Sequence, residues 1–221
     1  MVRNKYKLYS FDIFDTLITR QVATPKGIFA LMQSEISKAA GFSDDFKKHF
    51  YNIRIKSERN ARENKFKTKN TKEVNLYEIY ADIQKSHSLS DEQIKYLTDL
   101  EIKTETNNIV PIDKNIKTVL NLKKSGAKVI LISDMYLPSS VIKKMLSNIS
   151  QELSEIPLYL SNEYHAGKWE GTLYKKIKDI ENVPYHQWMH CGDNLFADIK
   201  KAKKLGIRTK HLPLPELCCY E

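Results

Sequence analysis

Hydrophobic positions along the chain fall into two regimes. In the first and last parts, short apolar runs stand between longer segments of helical period. Tyr6–Phe11, Lys128–Ser133, Pro157–Leu160, Gln187–Cys191 and Ile207–Leu212 carry the pattern of short buried strands. Helical patterns separate the last four. One covers about Ile112 to Ser125 and stops at Gly126. One follows Pro138-Ser139 with Val141, Ile142, Met145 and Leu146 on its apolar face. A third follows Thr172, read as an N-cap, and a fourth lies across Asp198 to Leu205. Strand–helix alternation predicts an α/β fold with a parallel sheet of about five strands and helices on both faces.

The stretch 21–108 breaks this rhythm and contains no convincing strand. Thr24-Pro25 opens a helix that Gly41 closes. Ser43-Asp44-Asp45 opens a long helix to about Asn64, and the polar segment Lys65–Lys72 reads as a loop. Another helix carries Leu76, Ile79 and Ile83, and Ser90-Asp91-Glu92 opens one through about Thr106. The expected organisation is a core of residues 1–20 and 109–221 with an all-helical insert at 21–108. No internal repeat or low-complexity tract is present.

Several predicted strands end in groups that carry chemistry. The first ends in Asp12-Ile-Phe-Asp15-Thr16-Leu17, and in open parallel sheets reactive groups sit just beyond the carboxyl ends of strands. Asp12 there could attack an electrophile, or Asp12 and Asp15 could be ordinary turn residues. The second ends in Ser133-Asp134. Cys191-Gly192-Asp193 ends another, with Asp198 five residues on; Gly192 permits a tight turn. Two strand-end carboxylates facing one crevice make a hard-oxygen site suited to Mg²⁺. Gly167-Lys168 adds a lysine just after a turn glycine.

In order and spacing, Asp12, Ser133, Lys168 and Asp193 with Asp198 resemble the four motifs of the haloacid dehalogenase (HAD) superfamily. The resemblance covers about Tyr6 to His211. It implies a Rossmann-like core with the helical insert as a type 1 cap, which covers the site and selects the substrate. It implies Asp12 as nucleophile through an aspartyl-phosphate, and Thr16 and Ser133, with Asp134, at the phosphate. Lys168 would neutralise phosphate charge. Mg²⁺ would be held by Asp12, the Phe14 backbone carbonyl, Asp193 and Asp198. Asp198 could instead cap the following helix. Arg20, where the chain leaves the core, could reach a substrate anion. Phe-Asp-Ile-Phe-Asp-Thr-Leu also resembles a bacterial subgroup found beside enzymes of surface-polysaccharide synthesis.

Phe14 departs from the pattern. Most phosphatases of the superfamily carry there an Asp that protonates the leaving group, and Asp15 is the nearest replacement. An apolar aromatic at that place is also found in the dehalogenases themselves, which work without metal and lack the acidic fourth motif. The retained Asp193 favours a Mg²⁺-dependent phosphohydrolase acting on a small phosphorylated metabolite, such as a sugar phosphate. A metal-free dehalogenase-type hydrolase is the first alternative. A weakly catalytic domain that binds a phosphosugar or a partner enzyme is the second.

Composition limits the remaining classes. With 41% hydrophobic residues and mean hydropathy −0.50 the chain reads as globular and soluble. The longest aliphatic run, Val129–Ile132, is far too short to span a membrane, and no secretory segment opens the sequence. Three cysteines, two of them adjacent at Cys218-Cys219, make no disulfide framework, so a cytoplasmic location is expected. The net charge of +9 comes mostly from lysines spread over predicted helix faces, only six of the 36 basic residues being Arg. No basic block is interleaved with aromatics, so nucleic acid is not the expected partner. Arg54, Glu58, Arg59 and Arg62 read as surface ion pairs at i,i+4. His186 and His190, near Cys191, make no zinc set.

Overall fold

The structure is a computed structural model and describes residues 5–214. Cys218 and Cys219 lie outside the described residues. The chain divides into two compact units: the part up to Thr19 together with that from Val110 onward, and Arg20–Ile109 between them.

The first unit begins with β1 (Leu8–Phe11). Then β2 (Ile18–Arg20) and β3 (Ile109–Pro111) form a separate two-stranded sheet where the chain passes from one unit to the other. The second unit holds α1 (Gly27–Lys38), α2 (Asp44–Lys69), α3 (Leu76–His87) and α4 (Asp91–Asn107). Back in the first unit come α5 (Asp113–Lys124), β4 (Val129–Ser133), α6 (Ser139–Ile149), α7 (Gln151–Ser154), β5 (Leu158–Leu160), α8 (Ser161–Tyr164) and α9 (Thr172–Glu181). Then follow β6 (Trp188–Gly192), a π-helical turn over Leu195–Lys201 that runs into α10 (Ala202–Lys204), and β7 (Arg208–His211). Among the described residues no helix is long and apolar enough to cross a membrane.

Five strands form one parallel sheet in the order β5-β4-β1-β6-β7. β1 is central, and Phe11 stands level with Leu131 on one side and Cys191 on the other. The carboxyl ends of β1, β4 and β6 therefore converge at one edge. β1, β4 and β6 are short and nearly all buried, as the interior of a sheet covered on both faces requires. One face packs Leu8, Ile130, Ile132 and Trp188 against Leu173, Tyr174 and Ile177 of α9 and Ala202 of α10.

Side-chain caps explain the starts of α2, α3 and α4. Ser43 accepts from the Phe46 amide at 3.2 Å to open α2, and Asn75–Glu78 and Ser90–Gln93 form capping boxes on α3 and α4. Three expectations are corrected. α2 does not stop near Asn64 but continues to Lys69, ending at left-handed Asn70, because buried Lys65 stays on the packed face and pairs with Glu78 at 2.6 Å. Thr172 does not cap α9: left-handed Gly171 holds that place, and the Thr172 hydroxyl accepts from the Gly167 amide at 3.1 Å. Arg54 is not a surface residue. It is fully buried and makes two hydrogen bonds to Glu101 (2.8 and 2.7 Å), with its guanidinium 4.4 Å from the Phe29 ring centre.

Candidate active site

Asp12 is the first residue past β1, where its amide donates to the Cys191 carbonyl at 2.9 Å. That bond extends the β1–β6 ladder by one step and leaves the carboxylate buried at the sheet edge. Asp193 stands just past β6. The adjoining loop, with Asp15 in the left-handed region at φ 60°, turns back so that the Thr16 hydroxyl meets Asp193. It donates to Asp193 Oδ1 at 3.3 Å and accepts from the Asp193 amide at 3.1 Å.

Lys168 is the hub. It is buried, and its Nζ donates to Asp12 Oδ1 at 2.5 Å and to Asp198 Oδ1 at 2.7 Å. The surrounding loop is fixed from below: the Asp134 carboxylate accepts from the Lys168 amide at 2.8 and 3.0 Å and from the Trp169 amide at 3.2 Å. Asp198 lies in the π-helical turn with no exposure. Its Oδ2 accepts from the Asn194 amide at 3.0 Å, while Oδ1 faces His190 Nε2 at 3.2 Å as well as Lys168.

Gly192 has a reason other than the turn expected of it. Its backbone is not among the positive-φ glycines, but a Cβ there would fall 2.4 Å from the Asp198 carboxyl carbon. The glycine admits the Asp198 carboxylate against the strand end.

The charges are unequal in their effects. Burial pushes the Asp12 pKa up, Asp198 and Asp193 add to the rise, and Lys168 opposes it. Asp193 is also raised, by burial and then by the charges of Asp198 and Asp15. For Asp198, burial acts upward but Lys168 and the His190 hydrogen bond prevail and hold it below the usual carboxylate range. The Asp12 and Asp198 charges keep Lys168 protonated despite burial. Burial lowers His190. One oxygen each from Asp12, Asp193 and Asp198 lies within 4.8 Å of the others. Three hard oxygen donors, two of them strained by mutual repulsion, fit a divalent cation.

The structure thus brings together Asp12, Thr16, Lys168, Asp193 and Asp198, with Asp134 beneath them. Ser133 ends β4, buried, on the same sheet edge. The other side chains have these partners. Thr16 and Asp134, expected at phosphate, have their side chains on Asp193 and on the Lys168 loop. Asp198 does not cap its helix; Asn194 does, accepting from the Phe196 and Ala197 amides at 3.0 and 2.9 Å. The Asp15 carboxylate accepts from the Thr19 hydroxyl at 2.7 Å. Phe14 is half-buried in the same turn, bridged to Ile18. Arg20 belongs to the helical unit and forms a two-bond pair with Glu105 at 2.8 and 3.1 Å. Sequence reasoning passed over Ser10 and Tyr174 and weighed His190 only as a zinc ligand; all three back the site. The usable signal for His190 was a polar residue inside an otherwise apolar central strand.

No protein-family model and no curated protein sequence matches the chain. Solved structures do. The HAD family enzyme BT-2542 of Bacteroides thetaiotaomicron superposes with a TM-score of 0.63 at 16% identity, over 96% of this chain and 96% of that one. The HAD-hydrolase YfnB of Bacillus subtilis, bound to magnesium, gives 0.57 at 18% identity, over 95% and 93%. The L-2-haloacid dehalogenase of Xanthobacter autotrophicus gives 0.59 at 12% identity, over 94% and 77%. Sheet order, strand-end carboxylates and these superpositions agree that the chain has the fold of the haloacid dehalogenase superfamily of hydrolases.

Proposed function

We propose that this protein is a Mg²⁺-dependent phosphohydrolase of small phosphorylated metabolites, such as a sugar phosphate, and that it acts in the cytoplasm. The observation that carries the reading is the carboxylate trio Asp12, Asp193 and Asp198 built around Lys168. Two neighbours add support. YfnB is a magnesium complex, and a variant of BT-2542 is a complex with magnesium and inorganic phosphate.

Asp12 is the nucleophile. Lys168 holds Oδ1, which leaves Oδ2 to form a bond to phosphorus as the ester oxygen–phosphorus bond breaks. Water then attacks the aspartyl-phosphate, releasing inorganic phosphate and restoring the carboxylate. Lys168 stays protonated throughout and stabilises charge on the reacting carboxylate. Asp134 keeps that lysine's backbone in place, and Thr16 orients Asp193. Asp12, Asp193 and Asp198 would hold magnesium, which supplies positive charge against the repulsion between carboxylates and phosphate.

Two observations favour a second reading, a metal-free hydrolase of the dehalogenase type: Phe14 stands where an acid–base carboxylate would serve phosphate esters, and haloacid dehalogenases are among the neighbours. A panel of phosphorylated metabolites and 2-haloacids, assayed with and without Mg²⁺, separates the two. Phosphate release that needs Mg²⁺ supports the first reading; halide release without metal replaces it.

A further inference from the structure

A line of hydrogen bonds runs from the sheet interior to the site. Ser10 and His190 are register partners on β1 and β6, and Trp188 is two residues before His190 on the same face. All three are fully buried. The Trp188 indole Nε1–H donates to Ser10 Oγ at 2.7 Å, and an indole nitrogen can only donate. Ser10 therefore accepts there, and its own O–H is free to point at His190 Nδ1, 2.7 Å away. A neutral imidazole that accepts at Nδ1 carries its proton on Nε2. That nitrogen faces Asp198 Oδ1, the oxygen that also takes Lys168 Nζ. The Tyr174 ring lies against the imidazole edge to face, 5.1 Å between centres at 70°, and its hydroxyl donates to the Ala197 carbonyl at 3.2 Å.

We propose that His190 is a positioning residue for the reaction at Asp12: fixed as the Nε2–H tautomer by Ser10 and Trp188, it locks the Asp198 carboxylate that aims Lys168 at Asp12. The claim rests on the reading of Asp12 as nucleophile. Asp198 is pinned at Oδ2 by the Asn194 amide, and a second pin at Oδ1 stops the carboxylate from rotating. Without His190 the remaining hold on Oδ1 among the described residues is Lys168 itself, a long side chain that needs a fixed partner. An apolar side chain would fill the space and leave the carboxylate free to turn.

The tautomer is read directly by ¹⁵N NMR of the imidazole nitrogens in wild-type protein, the His190 signals being those missing from His190→Gln. Protonated Nε2 with unprotonated Nδ1 is expected, and this preference should be lost in Ser10→Ala. Turnover is measured on p-nitrophenyl phosphate with Mg²⁺. Loss of such a supporting partner typically costs about 10–100-fold, so His190→Leu should lose that much kcat with KM unchanged. His190→Gln, whose amide N–H reaches toward Asp198, should recover most of it. A protonated Nδ1 in wild type overturns the proposal, and so does a folded His190→Leu with wild-type kcat. If wild type does not hydrolyse the ester at all, the phosphohydrolase reading fails, and the tautomer still decides whether His190 donates to Asp198.

Discussion

Lys168 is the residue that ties the site together, touching two of the three acids. Both carboxylates keep it protonated, so it is not the reacting group, and the proposed reading gives the nucleophile's part to Asp12. Asp12→Asn keeps the shape and removes the negative charge. We expect turnover of any substrate to fall by at least about a thousandfold, with an unchanged circular dichroism spectrum. Near-normal hydrolysis by that variant would refute the assignment. The next consequence concerns Phe14. With no carboxylate at that position, and with Asp15 engaged by Thr19, proton delivery to the leaving group of a phosphate ester should be weak. Aryl and acyl phosphates should outrun alkyl phosphates. General acid–base assistance is worth about 10²–10⁴-fold, and Phe14→Asp should return part of it selectively on the poor leaving group. Comparing p-nitrophenyl phosphate with a sugar phosphate in both proteins checks this. Equal wild-type rates on the two esters would mean that another residue supplies the proton. At this scale Asp12, Lys168, Asp193 and Asp198 were legible, because each follows a strand or turn that the sequence marks. Thr16 and Asp134 were legible as site residues but not in their contacts: which oxygen a hydroxyl or carboxylate meets depends on loops folding over one another.

At the scale of elements, the turn after β6 is where sequence and site are most tightly joined. β6 ends in Gly192, and the π-helical turn that follows presses Asp198 against it. Gly192→Ala would drive a methyl group into the Asp198 carboxyl, which cannot retreat without leaving Lys168 and His190. We expect this variant to lose activity far more than stability: kcat should drop by at least tenfold at a melting temperature close to that of wild type. A fully active Gly192→Ala protein would show that Asp198 need not sit there. In the helical unit, α2 and α4 are joined by Arg54 and Glu101, both fully buried, with the Tyr80 hydroxyl donating to Glu101 at 2.6 Å. Replacing one partner strands the other charge. Arg54→Met should destabilise by about 3–5 kcal/mol, measured by urea unfolding. A loss below about 1 kcal/mol would place the pair in the class of exposed bridges. The spacing of Arg54, Glu58 and Arg62 was visible in the sequence as an ion-pair ladder. That its first member turns inward was not, because a helix pattern with so many charges gives no sign of a partner carboxylate on another helix 47 residues away.

At the scale of the whole molecule, the two regimes of hydrophobic pattern correspond to two compact units, and the sheet order β5-β4-β1-β6-β7 follows from short buried strands joined through helices. All five sheet strands were legible to within about two residues at each end, four of them through a mostly apolar run, as strands buried on both faces leave. β7, of which only a threonine is better than exposed, was legible instead through the glycine that ends the preceding helix. A net charge of +9 gives the molecule a field that draws anions, in keeping with a phosphorylated substrate. What separates a phosphohydrolase from a dehalogenase on this fold is whether the three acids serve a metal ion. The most direct measurement is wild-type hydrolysis of an aryl phosphate in excess EDTA, then after Mg²⁺ is restored, with Asp193→Ala in parallel. EDTA should abolish wild-type activity, Mg²⁺ should bring it back, and Asp193→Ala should be inactive under both conditions. Full activity in EDTA would contradict the Mg²⁺-dependent reading.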